Sequence, residues 1–195
     1  MKKNLLLLAF SLLCSVLQAQ SLKDLLLHMP QQVCPVLSEY NRLELVDNQR
    51  NGKPMQTRNL LQSVSSIDVL TDDYAHLRLS VNSEKTFALL PTNNGNAPII
   101  CVISTVSSDS ITDSSLSFYT TDWTSVPATD HFDEPTSTDF RNISFDASTR
   151  TLTVNTYTPL TLQTDGSQTP VPVHTTTATF QWNGLRFWPT SNGKL

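Results

Sequence analysis

Two stretches carry the side chains whose type and spacing suit a binding platform: "SLSFYTTDW" (115–123) and "WNGLRFW" (182–188). Flat aromatic faces stack on sugar rings and anchor protein interfaces. In the first stretch, strand alternation puts Leu116 and Phe118 on one face. Tyr119 and Trp123 fall on the other if the strand runs that far, about 13 Å apart at the usual rise and too distant for one sugar ring. The competing reading has Trp123 leave the strand and close one end of the core, with Pro127 fixing the exit. In the second stretch, Asn183-Gly184 suits a two-residue type I′ turn. That turn pairs Trp182 with Leu185, Gln181 with Arg186 and Phe180 with Phe187. Phe180, Trp182, Leu185 and Phe187 then share the core face, while Trp188 and Arg186 stand on the opposite, polar face. Trp188, Arg186, Tyr119 and Trp123 are therefore the candidate binding residues, each weighed against plain burial or cover by a loop.

Acid–base chemistry has one concentration of groups, Asp130, His131, Asp133, Glu134 and Asp139. It lacks the glycine and alternating Asp/Asn ligands of a calcium loop. Paired carboxylates hydrolyse glycosidic bonds only when placed across a cleft, which spacing alone does not establish. The bland reading is a solvated acidic connector. His28, His76, His131 and His174 are scattered, and no H-E-x-x-H element, G-x-S-x-G elbow or P-loop is present. With five glycines in the chain, phosphate-cradling loops are not expected. These absences remove the common enzyme classes, and neither a cofactor nor a metal site is expected.

The opening "MKKNLLLLAFSLLCSVLQAQ" has a charged start, an apolar run and a small residue at Ala19, the layout of a secretory signal peptide over residues 1–19. A second reading lipidates Cys14, although Leu13 before it is larger than lipid attachment generally wants. Removing residues 1–19 takes away two of thirteen basic residues and none of seventeen acidic ones, so the net charge moves from −4 to −6. Such a chain has no electrostatic reason to bind nucleic acid, and no later stretch approaches the roughly 20 apolar residues of a membrane span. The expected location is the periplasm, the cell surface or the medium. In an oxidising compartment Cys34 and Cys101 either form one disulfide or remain two buried thiols. Asp109-Ser110-Ile111 looks like the Asp-Ser/Thr-apolar triplet to which secreted Bacteroidetes proteins attach O-linked glycans, marking Ser110 as a modification candidate.

These residues must be positioned by the elements around them. Ser21 and Asp24 fit a capping box before Leu22, Leu25, Leu26 and Met29, and Pro30 ends that helix. A second helix is predicted from near Pro35, burying Val36, Leu37, Tyr40 and Leu43 and stopping at Asn51-Gly52. The segment "QTRNLLQSVSSID" has no clear period. From Leu77 the period becomes two, and strands are predicted at "AHLRLSVN", "TFALLP", "APIICVISTV" and "SLSFYTT". The third is apolar on both faces and so belongs in a covered, central position. After the connector "TSVPATDHFDEPTSTDF" come about four more strands, including a hairpin around Ala147 to Arg150. The fold class is α+β: N-terminal helices packed on predominantly antiparallel sheet, with two consecutive helix-plus-sheet units as an option. The divisions are 1–19, then 20–122 with helices and four strands, then 123–195 with connector and C-terminal strands, the last two separate or continuous.

"LLLHMP", "LTDDYAHLRLSV", "FALLP", "IICVISTV", "SLSFYTTDW" and "WNGLRFW" together resemble a secreted Bacteroidales family known as domain of unknown function 3256. The resemblance spans nearly all of the chain after the signal peptide. It implies a secreted bacterial origin and a strand-rich fold, and it brings no catalytic residues. The function expected is therefore an exported, non-enzymatic protein that binds a protein or glycan partner. The alternative is a glycan- or peptide-directed hydrolase using the carboxylates of 130–139.

Overall fold

The computed structural model describes residues 20–108, 111–133, 140–158 and 173–190. Ser21 opens the first helix, α1 (Leu22–Leu27), because its hydroxyl accepts the Asp24 amide that the helix itself leaves unpaired. Leu22, Leu25, Leu26 and Met29 are buried, as their spacing predicts. The second helix, α2 (Glu39–Arg50), starts later than Pro35. Ser38 and Asn41 form a reciprocal capping box, and Gly52 at φ +63° follows its end.

Of the apolar stripe expected for this helix, Leu37 is buried and Val36 packs against the core ahead of α2, but Tyr40 and Leu43 do not face inward. Tyr40 is 71% exposed and Leu43 is also exposed, whereas Asn41, Arg42, Leu45 and Val46 are buried. Asn41 is drawn in by hydrogen bonds from its Nδ2 to Thr57 Oγ1 and to the Arg58 carbonyl, both at 3.1 Å. Arg42 Nη1 donates to the Leu37 carbonyl at 2.8 Å. Specific partners for two polar groups outweigh the burial of two apolar ones.

Seven antiparallel strands follow in sequential order: β1 (Gln56–Arg58), β2 (Val64–Leu70), β3 (Tyr74–Ser80), β4 (Ser83–Leu90), β5 (Ile99–Ser107), β6 (Thr112–Tyr119) and β7 (Ser125–Val126). The aperiodic segment is thus the β1–β2 hairpin. A short helix, α3 (Ala128–His131), leads to a second antiparallel sheet. Its strands are β8 (Phe140–Asp146), β9 (Thr151–Thr158), β10 (Val173–Trp182) and β11 (Phe187–Pro189), in the order β11-β10-β9-β8. The β8–β9 turn spans Ala147 to Arg150, where the alternation predicts it.

Strand β5 separates two cores, as its two-sided apolar pattern predicts. Ile100 and Val102 cluster with Leu77, Phe87 and the leucines of α1, while Cys101 and Ile103 cluster with Phe118, Leu152, Phe180 and Phe187. The second sheet therefore shares a core with one face of the first. The seam between β6 and β8 is made by side chains: Ile143 N donates to Ser114 Oγ at 3.1 Å and Arg141 N to Asp113 Oδ1 at 3.2 Å.

The cysteines are not bridged. Cys34 is a free thiol in the first core and Cys101 a free thiol in the second, with β5 itself between them. A disulfide needs Cβ atoms roughly 3.5–4.5 Å apart, which opposite faces of a sheet do not allow. Burial pushes both thiols above the usual cysteine range, Cys101 well above it. An alkylating reagent is therefore expected to leave both unmodified in the native protein and to label both after denaturation, with no reductant required. A mass scan before and after reduction checks this, and a reduction-dependent gain would contradict it.

Acid should loosen the β8–β9 turn. Asp146 Oδ1 accepts from Ser148 Oγ at 2.7 Å, Ser148 N at 2.8 Å and Thr149 N at 3.3 Å, and these bonds hold its carboxyl below the ordinary range. A depressed folded-state value means the charge is easier to hold in the folded chain. The stabilisation is complete above the unfolded value of about 4 and is lost as pH falls through the lower folded one. Thermal unfolding followed from neutral pH downward should show stability falling in that acidic window, and less steeply in Asp146→Asn.

Candidate functional site

The edge strand β11 places the one largely solvent-facing indole among the described residues. Trp182 and Phe187 are paired across β10 and β11, as are Gln181 with Trp188 and Phe180 with Pro189. The two-residue turn expected at Asn183-Gly184 is thereby corrected, because the register is longer and the turn covers Asn183 to Arg186. The Asn183 side chain explains it: Oδ1 accepts Leu185 N at 3.0 Å and Arg186 N at 2.9 Å, while Asn183 N donates to the Arg186 carbonyl at 3.1 Å. Leu185, expected in the core, is exposed, while Phe180, Trp182 and Phe187 are buried as expected.

This turn is clamped from outside. Asn93 N donates to the Gly184 carbonyl and Asn93 Nδ2 to the Asn183 carbonyl, both at 2.9 Å. Gly184 has φ +92°, and a Cβ there would sit 2.1 Å from Asn93 Oδ1, so the position needs glycine twice over. Trp182 Nε1 donates to the Pro91 carbonyl at 2.6 Å. His131 closes the other side. Its Nδ1 donates to the Leu185 carbonyl at 2.8 Å, and its ring lies 5.1 Å from Phe118 and 5.8 Å from Trp182. His131 is buried and holds the turn in place.

Trp188 is 59% exposed on this rigid edge. A depression of about 770 Å³ opens beside it, lined by Gln181, Trp182, Asn183, Trp188, Pro189 and Thr190. Its chemistry is mixed: two indoles, one of them largely buried, a proline, two carboxamides and a hydroxyl. Such a surface matches a ligand with apolar C–H faces and a ring of hydroxyls or amides.

The other candidates are placed differently. Arg186 is not among the residues that line this depression; its Nη2 pairs with Asp133 Oδ1 at 2.6 Å and its side chain is 25% exposed. Asp133 is thus tied to a structural cation, and Asp130 stands exposed beside buried His131. Glu134, Asp139 and Ser110 lie outside the described residues. Tyr119 and Trp123 do come together, with ring centroids 5.7 Å apart, but in the first core. The strand ends at Tyr119 and Trp123 turns back at φ +64° into a buried position, which is the core-closing reading.

Sequence reasoning missed one further polar group. On β3, His76 sits between Asp68 and Glu84, with Nδ1 3.6 Å from Asp68 Oδ2 and Nε2 3.4 Å from Glu84 Oε2, and Arg78 also pairs with Asp68 at 2.5 Å. Period-two alternation puts His76 and Arg78 on one face, but the carboxylates arrive from neighbouring strands. Among the described residues no group of three or more His, Cys, Asp or Glu could hold a metal ion, and no helix is long and apolar enough to cross a membrane.

A family model described as "protein of unknown function (DUF3256)" matches residues 14–144. That range takes in all three helices and all of the seven-stranded sheet, while the Trp188 edge lies beyond it. A solved domain of an uncharacterized protein from Porphyromonas gingivalis W83 has a similar fold, with a TM-score of 0.71 and 18% identity over 89% of this chain and 99% of that one. Among curated proteins none matches.

Proposed function

Given that the chain belongs to the DUF3256 family of proteins of unknown function, we propose that it is an exported, non-enzymatic binding protein of a Bacteroidales-type bacterium, engaging a glycan or protein partner of the envelope at its β11 edge. The observation that carries this reading is the exposed Trp188 beside a depression furnished with Gln181, Asn183 and Thr190. Exposing a tryptophan on a rigid edge forgoes the stabilisation that burying it would bring, and exposed aromatics on preorganised backbone are what binding surfaces use. The mixed lining favours a glycan over a purely apolar partner. Export rests on the residue 1–19 signal pattern, which directs the chain to the periplasm, the cell surface or the medium.

The finer architecture behind this reading has three layers: helices on one face of the seven-stranded sheet and the four-stranded sheet on the other. Residues 20–122 supply a helix-plus-sheet unit, and residues 123–195 supply the sheet that presents the site. The hydrolase alternative asks the 130–139 carboxylates to act as acid and base. Asp133 is already paired with Arg186, which supports a structural part for it. Replacing Asp133 and Glu134 together would abolish any hydrolase activity of this region, and an activity that survived would end that version.

The accessible-indole experiment tests the binding reading. Trp123 and Trp182 are buried and Trp188 is exposed, so acrylamide should quench chiefly Trp188. Saturating envelope polysaccharide should protect that fraction, and Trp188→Phe should remove it. Quenching unaffected by any polysaccharide or envelope extract would count against the reading.

A further inference from the structure

The four-stranded sheet has an outer face whose register can be followed rung by rung. Leu152, Val154, Phe180, Trp182 and Phe187 point into the second core, so alternation turns their neighbours outward. Trp188 pairs with Gln181, Gln181 with Thr151 and Thr151 with Asp146. Two residues further along, Thr190 N donates to the Thr179 carbonyl, Thr179 pairs with Thr153 and Thr153 with Ser144. The third rung is Thr177, Asn155 and Asn142, and the fourth is Tyr157 and Phe140. Every one of these side chains is exposed or half-buried.

Charge is what these rungs lack. Their one carboxylate, Asp146, is drawn into the β8–β9 turn, where it accepts from Ser148 and Thr149. The rest are hydroxyls, carboxamides and aromatic rings. Another exposed strip of the same protein is built differently: on β2–β4, Asp68, His76, Arg78 and Glu84 stand together as ion pairs. Water accepts charges on either surface, so neutrality over four rungs points to an occupant that would strip a charge of its water, at high cost. A hydroxyl offers one donor and two acceptors, and a carboxamide two of each, so such rows can exchange water for the hydroxyls of a sugar chain with little loss. Cross-strand bonds hold the rows in place: Thr177 Oγ1 donates to Asn155 Oδ1 at 2.7 Å, and the Thr179 and Thr190 hydroxyls share a hydrogen bond.

We infer that the binding site is this whole outer face, not the β11 edge alone, and that its ligand is an uncharged polysaccharide chain running along the strands. Neighbouring rungs stand about 7 Å apart and the four of them span about 20 Å, longer than one sugar ring. Aromatic rings stand at both ends, Trp188 at one and Tyr157 with Phe140 at the other, each a surface for the C–H face of a sugar. The face is continuous with the depression beside Trp188, because Gln181, Trp188 and Thr190 belong to both. This rests on Trp188 being a binding residue and adds the class and the length of what it binds.

Calorimetric titration of the protein as its host processes it, against neutral linear glucan, mannan and xylan oligomers of rising length and against polygalacturonate as a charged control, tests this. The expected result is an affinity for one neutral series that rises with length beyond the disaccharide, with no binding of polygalacturonate. Ser144→Glu and Thr153→Glu place a charge on the second rung, strands away from Trp188. Each should weaken the long oligomers by about tenfold or more and leave short oligomers and thermal unfolding unchanged. Ser144 is exposed, so its variant keeps the fold if Thr153→Glu does not. Trp188→Ala should weaken short and long oligomers alike. Binding that Trp188→Ala abolishes, but that ignores oligomer length and both glutamate variants, overturns the inference and leaves the β11 edge as the site. Preference for polygalacturonate or for a protein overturns it as well, again without touching the part of Trp188. If no neutral oligomer binds, the inference fails, and titration of Trp188 variants against whole envelope fractions decides the edge separately.

Discussion

Trp123→Ala is expected to lower the free energy of unfolding by about 3–5 kcal/mol, a large part of the roughly 5–15 kcal/mol that holds a domain together. Three contributions add. The indole is buried at the end of the first core and meets Phe87 edge to face at 6.2 Å. Its Nε1 donates to the Leu25 carbonyl at 3.1 Å, so it ties α1 to the end of the sheet. Removing it leaves that buried carbonyl unpaired, which costs more than the bond contributes when made. Its backbone at φ +64° is set by a small turn in which Thr120 and Thr124 bond to Asp122, and that turn has no purpose without the indole. Denaturant midpoints of the wild type, Trp123→Ala and Trp123→Phe measure this. Phe keeps much of the packing and loses the hydrogen bond, so it should fall between the other two. A loss of no more than about 0.5 kcal/mol in the alanine variant, the scale of an ordinary surface change, would mean that the residue does not close the core.

The elements that were legible in the sequence are those whose causes are local. Ser21 caps its helix through atoms within three residues of it, and β5 declares both of its covered faces by being apolar on both. Most of the errors trace to partners far along the chain; the helix expected from Pro35 starts later for a local reason, the Ser38–Asn41 capping box. The inward face of α2 is chosen by bonds from Asn41 to Thr57 and Arg58, which period alone cannot see. Asn183-Gly184 reads as a two-residue turn until Asn93, His131 and Asp133 arrive, from about 50 to 90 residues away, to hold a longer one. Leu185 is exposed and Arg186 pairs with Asp133 for that same reason. The 13 Å separation between Tyr119 and Trp123 assumed a strand that in fact stops, and a positive φ at a tryptophan has no sequence signature. Of the candidate site, Trp188 on the polar face was readable from alternation, whereas Gln181, Asn183 and Thr190 as its neighbours depend on the corrected register.

Trp188→Ala should have the opposite profile to Trp123→Ala. Its side chain lies on the outer face of an edge strand, so stability should move by no more than about 0.5 kcal/mol. If it anchors the partner, binding should lose about 2 kcal/mol or more, the range of interface hot spots, which is roughly thirtyfold in Kd. Trp188→Phe keeps an aromatic face and should lose less, and Gln181→Ala should weaken binding without touching the fold. The same changes at Trp182 would confuse the two effects, since that indole is buried and bonded to Pro91. The most direct measurement is therefore a side-by-side titration of wild type, Trp188→Phe and Trp188→Ala against fractionated envelope glycans and proteins, with thermal unfolding recorded on the same samples. The account predicts graded loss of affinity at constant stability. Equal affinity in all three, or a loss of stability in Trp188→Ala comparable to that of Trp123→Ala, would contradict it.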